Sequence, residues 1–437
     1  MKHSENFALQ NLWLIKFSIR KKFNIKTKLE KTAREILEIA GIKVIDNLDN
    51  CVNIKSKFSI CPIRKQSNLI NRIVHNGNNL WDIQVHDTRF YKRVLTQGSL
   101  GLGESYMDGW WDCKRLDEFF YRVLKNKIDE KAREHLNLST KLRFGAVWLG
   151  NLLGNRQTIS KSKEVGKKHY DTGNYLFQKM LDKRMQYSCG YWKNTQNLEE
   201  AQESKLDLIC KKINLKPGMK VLDIGCGFGG FAKYAAEKYK VKLIGVTISE
   251  EQAKLAKEIC KGLDVEIRVQ DYRKINEKFD RIVSVGMFEH VGSKNYKEFF
   301  KVANKLLKED GLFLLHTIGK NTSGYSLDPF IAKYIFPGGE LPSLAQITKT
   351  VEGLFVVRDV HNFAGDYDRT LMAWNKNFQE NWNRIRELEG GKYDDRFKRM
   401  WEYYLQSCAG AFRAGNIQLW QIVLSKPGFN VNYQSVR

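Results

Sequence analysis

The sequence predicts an α/β fold: a seven-stranded, mostly parallel sheet with helices on both faces, joined to a smaller N-terminal domain. Three observations carry this. Apolar, strand-like runs alternate with helical spacing from residue 220 onward, a glycine corner joins the first of those strands to a helix, and 437 residues suit two domains. The corner is Val221-Leu-Asp-Ile-Gly-Cys-Gly-Phe-Gly229. Residues 220–224 read as a buried strand, opened by the Pro217-Gly218 turn. Gly225, Gly227 and Gly229 let the backbone turn sharply and approach a ligand with no Cβ in the way. Residues 231–239 follow as an amphipathic helix, whose first N–H groups point outward. The alternation continues with strands over 241–249, 265–270, 279–286 and 312–318 and helices over 250–260 and 294–307. Residues 354–360 and 417–425 supply the last two strands, and 370–388 and 396–414 read as long helices laid over the sheet. Ligands of such sheets bind beyond the carboxyl ends of the strands.

The loop chemistry separates two ligand classes. A dinucleotide site typically uses G-x-G-x-x-G with an acid about 20 residues downstream. This loop is G-x-G-x-G, with Asp223 standing just before it, and it resembles the first motif of class I S-adenosylmethionine-dependent methyltransferases. A carboxylate there suits the cationic amino-acid end of that cofactor better than it suits phosphates. A glycine turn without a ligand is the plain alternative.

Composition excludes little and suggests a partner. The chain is 42% hydrophobic and 28% charged, with 73 Lys plus Arg against 49 Asp plus Glu, a net charge of +24. Such a field attracts polyanions or an anionic membrane surface. No apolar run reaches the ~18–20 residues that span a bilayer, and Lys16 interrupts the leading apolar stretch, so neither a transmembrane helix nor a signal peptide is expected. The eight cysteines form no C-x-x-C pair and no zinc spacing, consistent with reduced thiols in a cytoplasmic protein that binds no metal.

The N-terminal domain is expected over 1–150, with a linker at 151–166 and the catalytic domain at 167–437. Residues 1–30 carry seven basic and two acidic side chains among large apolar ones; they read equally as a membrane-interface segment or a solvated leader. Helical spacing appears over 31–40, 117–125 and 141–153. Residues 46–80 read as an irregular or short-stranded insertion. The stretch 90–111 mixes glycines with large aromatics and predicts tight turns carrying an apolar platform.

Candidate chemistry collects at four strand ends. Thr247 and Gln252 are placed to hold ribose hydroxyls by neutral hydrogen bonds, and Gln270, Asp271 and Tyr272 to meet an adenine edge. Glu289 and His316 stand at adjacent strand ends as an acid–base or small-ligand pair. Tyr187, Ser188 and Cys189 precede the sheet and Tyr367 follows the sixth strand. For the aromatics and Cys189, core packing is the bland alternative.

The stretches 98–111, 185–192, 221–229, 245–249, 270–273, 284–292, 314–319, 334–337, 366–374 and 408–413 together resemble the cyclopropane-fatty-acyl-phospholipid synthases, several of them long and not shared by methyltransferases at large. The resemblance implies transfer of the S-adenosylmethionine methyl group to a cis double bond of an unsaturated phospholipid acyl chain. A bound bicarbonate ion then takes the proton whose loss closes the ring. It places bicarbonate ligands on Cys189, Glu289, His316, Ile318 and Tyr367. Cofactor contacts fall on Tyr187, Ser188, Asp223, Gly225, Cys226, Gly227, Gly229, Thr247 and Gln252. Cys408 matches a cysteine sometimes given an active-site role; methyl transfer from a sulfonium needs no covalent enzyme intermediate, so packing is its expected role. Aromatic faces for the carbocation are offered by Tyr187, Tyr191, Phe288, Tyr325 and Tyr367. The resemblance also implies a homodimer. With such a substrate in a bilayer, the basic charge leads to the expectation of peripheral docking on the inner face of the membrane through the N-terminal domain, with Trp110 and Trp111 exposed for that contact. Methylation without ring closure and small-amine N-methylation are the alternatives; a nucleic-acid partner is disfavoured, since Val285-Gly-Met-Phe-Glu-His290 is not a base-holding motif.

Overall fold

The computed structural model describes residues 30–35, 37–46, 79–128, 174–324, 327–388, 393–429 and 432–437. The expected linker, the 141–153 helix, Tyr325, nearly all of the leader and residues 47–78 of the insertion lie outside the described residues. The chain divides into two compact units, Met1–Leu142 and Arg143–Arg437.

In the first unit, β1 (Val44–Asp46) runs parallel to β2 (Ile83–Val85), which pairs antiparallel with β3 (Trp111–Cys113). Among the described residues, helical backbone at 30–35 and 37–38 and two longer helices, α1 (Arg89–Met107) and α2 (Leu116–Lys125), accompany these strands. The stretch expected to form tight turns is therefore mostly helix, with one break at Gly98, where φ is 59° and ψ −135°. After that break the chain packs so closely that a Cβ on Gly101 would lie 2.4 Å from the Arg93 carbonyl oxygen. Glycine costs a helix interior about 1 kcal/mol relative to alanine; here tertiary packing uses the missing side chain. Trp111 is not exposed as expected. It is fully buried among Phe90, Tyr106 and Phe119, and its Nε1 donates to the Leu102 carbonyl at 3.1 Å. Trp110 is half-buried beneath the guanidinium groups of Arg89 and Arg93.

Among the described residues, the second unit begins with α3 (Asn174–Met180) and α4 (Leu198–Lys212). Its sheet alternates with helices through β4 (Lys220–Ile224), α5 (Gly230–Tyr239), β5 (Lys242–Thr247), α6 (Glu250–Ile259), β6 (Val265–Val269), β7 (Phe279–Val285), α7 (Tyr296–Leu306) and β8 (Leu307–Lys320). It ends with α8 (Pro329–Tyr334), α9 (Leu344–Val351), β9 (Val356–Asn362), α10 (Gly365–Leu388), α11 (Asp395–Arg413) and β10 (Ile417–Ser425). The strand order is β6-β5-β4-β7-β8-β10-β9, with β10 antiparallel to both neighbours.

Alternation along the strands builds two cores. Leu222, Ile282, Phe313 and Leu315 face α7 and α9 on one side, with Phe299, Phe300 and Ile347. Val221, Leu243, Val283 and Leu314 face α4, α5 and α6 on the other, with Ile209, Phe231 and Ala256. Period two puts Asp223 on the same face as Val221, beneath α4. Some of the helices start at side-chain caps: Asn197 accepts from the Glu200 N–H at α4 and Ser249 from the Gln252 N–H at α6, each worth about 1 kcal/mol.

Candidate active site

A cavity of about 210 Å³ lies beyond the carboxyl ends of β4, β5, β6 and β7. All the sequence-predicted cofactor residues reach its wall except Gly229: Tyr187, Ser188, Asp223, Gly225, Cys226, Gly227, Thr247, Gln252, Gln270, Asp271 and Tyr272. The glycines serve different ends. Gly225, at φ 85°, would drive a Cβ to 2.6 Å from Met287 Cγ on the neighbouring strand end. Gly229, at φ 83°, would meet Ala256 Cβ at 2.9 Å, so it seats α6 against the corner and does not line the cavity. The sequence reading missed Gln186, Arg273, Met287, His290 and Asn295, which also line it. His290 and Arg273 were legible in principle, since each ends a quoted strand-end stretch.

Hydrogen bonds fix the cavity's polar groups beforehand. The Thr247 hydroxyl donates to Gln252 Oε1 at 3.1 Å and accepts from the Ser249 N–H at 3.2 Å. Gln252 thus lines the cavity with a neutral amide, in place of the acid many such folds use. Asp271 accepts from Arg273 Nε and Nη2 at 2.8 and 2.6 Å. Burial pushes the Asp271 carboxyl up, but those Arg273 bonds outweigh it and its pKa falls below the usual value. Asp271 is thus a paired wall residue. Asp223 is 2% exposed, and burial lifts its pKa to about 7 against the opposing pull of Lys205.

The second group is packed shut beside this cavity. Met287 and His290, which line the cavity, bracket Glu289, which sits on a short 3₁₀ turn, Phe288–His290. Glu289 Oε1 accepts from the Ile318 N–H at 2.6 Å, while Oε2 is buried with no hydrogen-bond partner among the described residues. Burial raises this carboxyl to about 7, with the Ile318 amide opposing. His316, two residues earlier on the same face of β8, is 1% exposed. Its Nδ1 lies 3.3 Å from Gln421 Nε2, and its Nε2 is buried without a partner among the described residues. With the Gln421 amide donating, Nδ1 accepts and the ring hydrogen sits on Nε2. Burial, then the positive charges of Lys205 and Lys212, hold the imidazole well below its ordinary pKa, hence neutral.

Tyr367, near the start of α10, is buried and stacks on Phe412 at 4.4 Å. Burial pushes its hydroxyl up, and Cys189 and Glu289 lie near enough to add to that push. Cys189 is fully buried, its Sγ 3.1 Å from the Gly190 carbonyl oxygen and 3.8 Å from Thr370 Oγ1. Thr370 also accepts from the Trp192 indole at 2.8 Å, which pins the 189–192 loop to α10. Burial keeps the Cys189 thiol protonated and pushes Cys408 up to about 12. Both are therefore poor nucleophiles.

Of the aromatics expected near the chemistry, Tyr187 lines the cavity, touches Tyr404 through a 2.8 Å hydroxyl pair, and lies 5.3 Å from Trp374. Phe288 does not serve: it is fully buried on the opposite face, stacked on Tyr296 at 4.3 Å. Tyr191 packs on His361 and Phe363.

Comparison with known proteins bears on this arrangement. Residues 157–422 match the family model described as mycolic acid cyclopropane synthetase. The chain is 55% identical over 354 residues to the cyclopropane-fatty-acyl-phospholipid synthase of Escherichia coli (strain K12), covering 81% of this chain and 90% of that protein. Among solved structures it resembles the cyclopropane synthase MmaA2 from Mycobacterium tuberculosis, with a TM-score of 0.57, 33% identity, and 60% of this chain and 98% of the other covered. A mycolic acid cyclopropane synthase, CmaA1, complexed with SAH and CTAB matches with a TM-score of 0.56, 33% identity and the same coverage. A glycine corner preceded by a buried aspartate, a Thr–Gln pair at the next strand end and these matches lead to one conclusion: the chain belongs to the cyclopropane synthase family of S-adenosylmethionine-dependent methyltransferases.

Proposed function

We propose that this chain transfers the methyl group of S-adenosylmethionine to a cis double bond of an unsaturated phospholipid acyl chain, and that proton loss from the added carbon closes a cyclopropane ring. One observation carries the reading: a preformed cofactor cavity shares the Met287–His290 turn with a sealed carboxyl, Glu289, that has one oxygen unspent. When bound, the cofactor supplies an electrophilic methyl group on a sulfonium. Asp223 would hold its cationic amino-acid end, Thr247 and Gln252 its ribose, and Gln270 and Tyr272 its adenine.

An alkene is a weak, neutral nucleophile, so the chain's task is alignment and exclusion of water. The faces of half-buried Tyr187 and buried Tyr367 would stabilise the cation left on the lipid, by ~2 kcal/mol when desolvated. Glu289 Oε2 and the Nε2–H of His316 offer an acceptor and a donor, both buried and unpartnered. A small anion with one hydroxyl suits that pair, and bicarbonate fits: Glu289 would accept its hydroxyl, while His316 and Tyr367 would donate to its oxygens. Bicarbonate would supply a weak base. The Ile318 amide, a further ligand by resemblance, is engaged here by Glu289 itself.

The substrate lies in a bilayer, and among the described residues no helix is long and apolar enough to cross one. The reading therefore includes peripheral docking of the N-terminal domain, residues 1–150, on an anionic leaflet. The net charge of +24 supports it, each nearby Lys or Arg contributing ~1 kcal/mol. Half-buried Trp110 between two arginines is the interfacial side chain. Assembly as a homodimer in the cytoplasm completes the reading and rests on family resemblance. The direct test is incubation with labelled S-adenosylmethionine and unsaturated phospholipid vesicles. Label in cyclopropane fatty acid supports the proposal; label only in branched chains, amines or nucleic acid contradicts it.

A further inference from the structure

Helix α4 places a lysine where the fold gives it no route to water. Lys205 is fully buried, on the α4 face that covers the Asp223 side of the sheet. Its Nζ donates to Gln186 Oε1 at 2.6 Å and to Ser188 Oγ at 2.8 Å. Those two residues bracket Tyr187, and all three line the cofactor cavity. The same loop is held from two other directions: Gln202 donates to the Ser188 carbonyl at 2.8 Å, and the Gln186 N–H donates to buried Asp182 at 2.8 Å. A buried ammonium is costly unless charge and hydrogen bonds meet it. Asp182 and Asp223, each 2% exposed, are the nearby negative charges.

We propose that Lys205 is a positioning residue for the cofactor: it clamps the 186–188 loop over the cavity, leaves the Ser188 hydroxyl to act as a donor there, and counterbalances Asp223. The donor role follows from inventory. An ammonium offers only hydrogens, so Ser188 Oγ accepts from it and the hydroxyl hydrogen remains for another acceptor. Seen from the cavity, Asp223 and Ser188 then present an acceptor and a donor, the complement of an amino acid's ammonium and carboxylate. Burial draws the Lys205 pKa down to about 8 with Asp182 opposing, so the charge persists at neutral pH. The inference rests on reading the cavity as the S-adenosylmethionine site.

The experiment is calorimetric binding of S-adenosylhomocysteine to the full-length wild type, K205M, S188A and the double variant, with kcat and KM on vesicles alongside. K205M is expected to weaken binding about tenfold or more, to raise KM for S-adenosylmethionine much more than it lowers kcat, and to leave KM for the phospholipid unchanged. S188A is expected to weaken binding less, and the double variant no more than K205M alone, because Lys205 acts in part through Ser188. A folded K205M that binds as the wild type does, or losses that multiply in the double variant, would overturn the proposal. If K205M does not fold, S188A decides: affinity reduced about threefold or more upholds the clamp, and wild-type affinity refutes it. A wild type that binds no S-adenosylhomocysteine refutes the reading of the cavity instead.

Discussion

The cofactor cavity and the cluster around Glu289 share strand ends yet treat their polar atoms differently. In the cavity wall the groups are paired in advance: Thr247 with Gln252, Asp271 with Arg273, Ser188 with Lys205. In the cluster, Glu289 Oε2 and His316 Nε2 are buried and left over. Burial pushes both toward neutrality, the carboxyl up and the imidazole down. A large, flexible ligand calls for a rigid, presatisfied wall. On the proposed reading, a small ion that must leave with a proton is better served by atoms whose hydrogen-bonding capacity is unspent, because every bond it makes there repays a desolvation already incurred.

Perturbing each half separately sharpens that contrast. The largest effect is expected from Glu289→Gln, which keeps an acceptor for the Ile318 amide but loses the base-side carboxylate. Turnover should fall by about 10²–10⁴-fold, with S-adenosylhomocysteine affinity unchanged by calorimetry; wild-type ring formation would place proton removal elsewhere. Asp223→Asn should do the reverse, weakening cofactor binding about 10- to 100-fold while turnover at saturating cofactor changes far less. A smaller, pH-dependent effect follows from Glu289 itself. The native state keeps this proton to about pH 7, while the unfolded chain releases it near 4.5. The group's contribution to stability is therefore full below pH 4.5 and is lost as pH rises through 7. Urea midpoints of the wild type and E289Q, compared between pH 4.5 and 7.5, should differ by that slope; parallel curves would deny the burial. The smallest effect is expected at Cys408: C408S should change kcat by less than about threefold, read from initial rates, since a thiol with a pKa of about 12 supplies packing and no nucleophile.

Much of the sheet was legible because its signals are local. Period-two apolar runs, the Pro217-Gly218 turn and the glycine corner placed β4 through β8 within a few residues, and β10 at its observed bounds. The cavity wall was legible for the same reason, since strand ends lie next to strands. What failed was settled at longer range. Helix α1 hides behind glycines because the contact that needs Gly101 is made with Arg93, eight residues back. Gly229 looked like a ligand glycine, yet its neighbour is Ala256 on another helix. Phe288 sits beside Glu289 in sequence and points into the opposite core. Lys205 was invisible as one lysine among many on a helix, and only the approach of Gln186 and Ser188 distinguishes it.

The most direct test of the closed half is the rate of ring formation in buffer stripped of carbon dioxide, measured as bicarbonate is added back. The wild type should accelerate with added bicarbonate and saturate, while E289Q stays slow at every concentration. A wild-type rate indifferent to bicarbonate would contradict the assignment of Glu289 and His316 to a small proton-collecting anion.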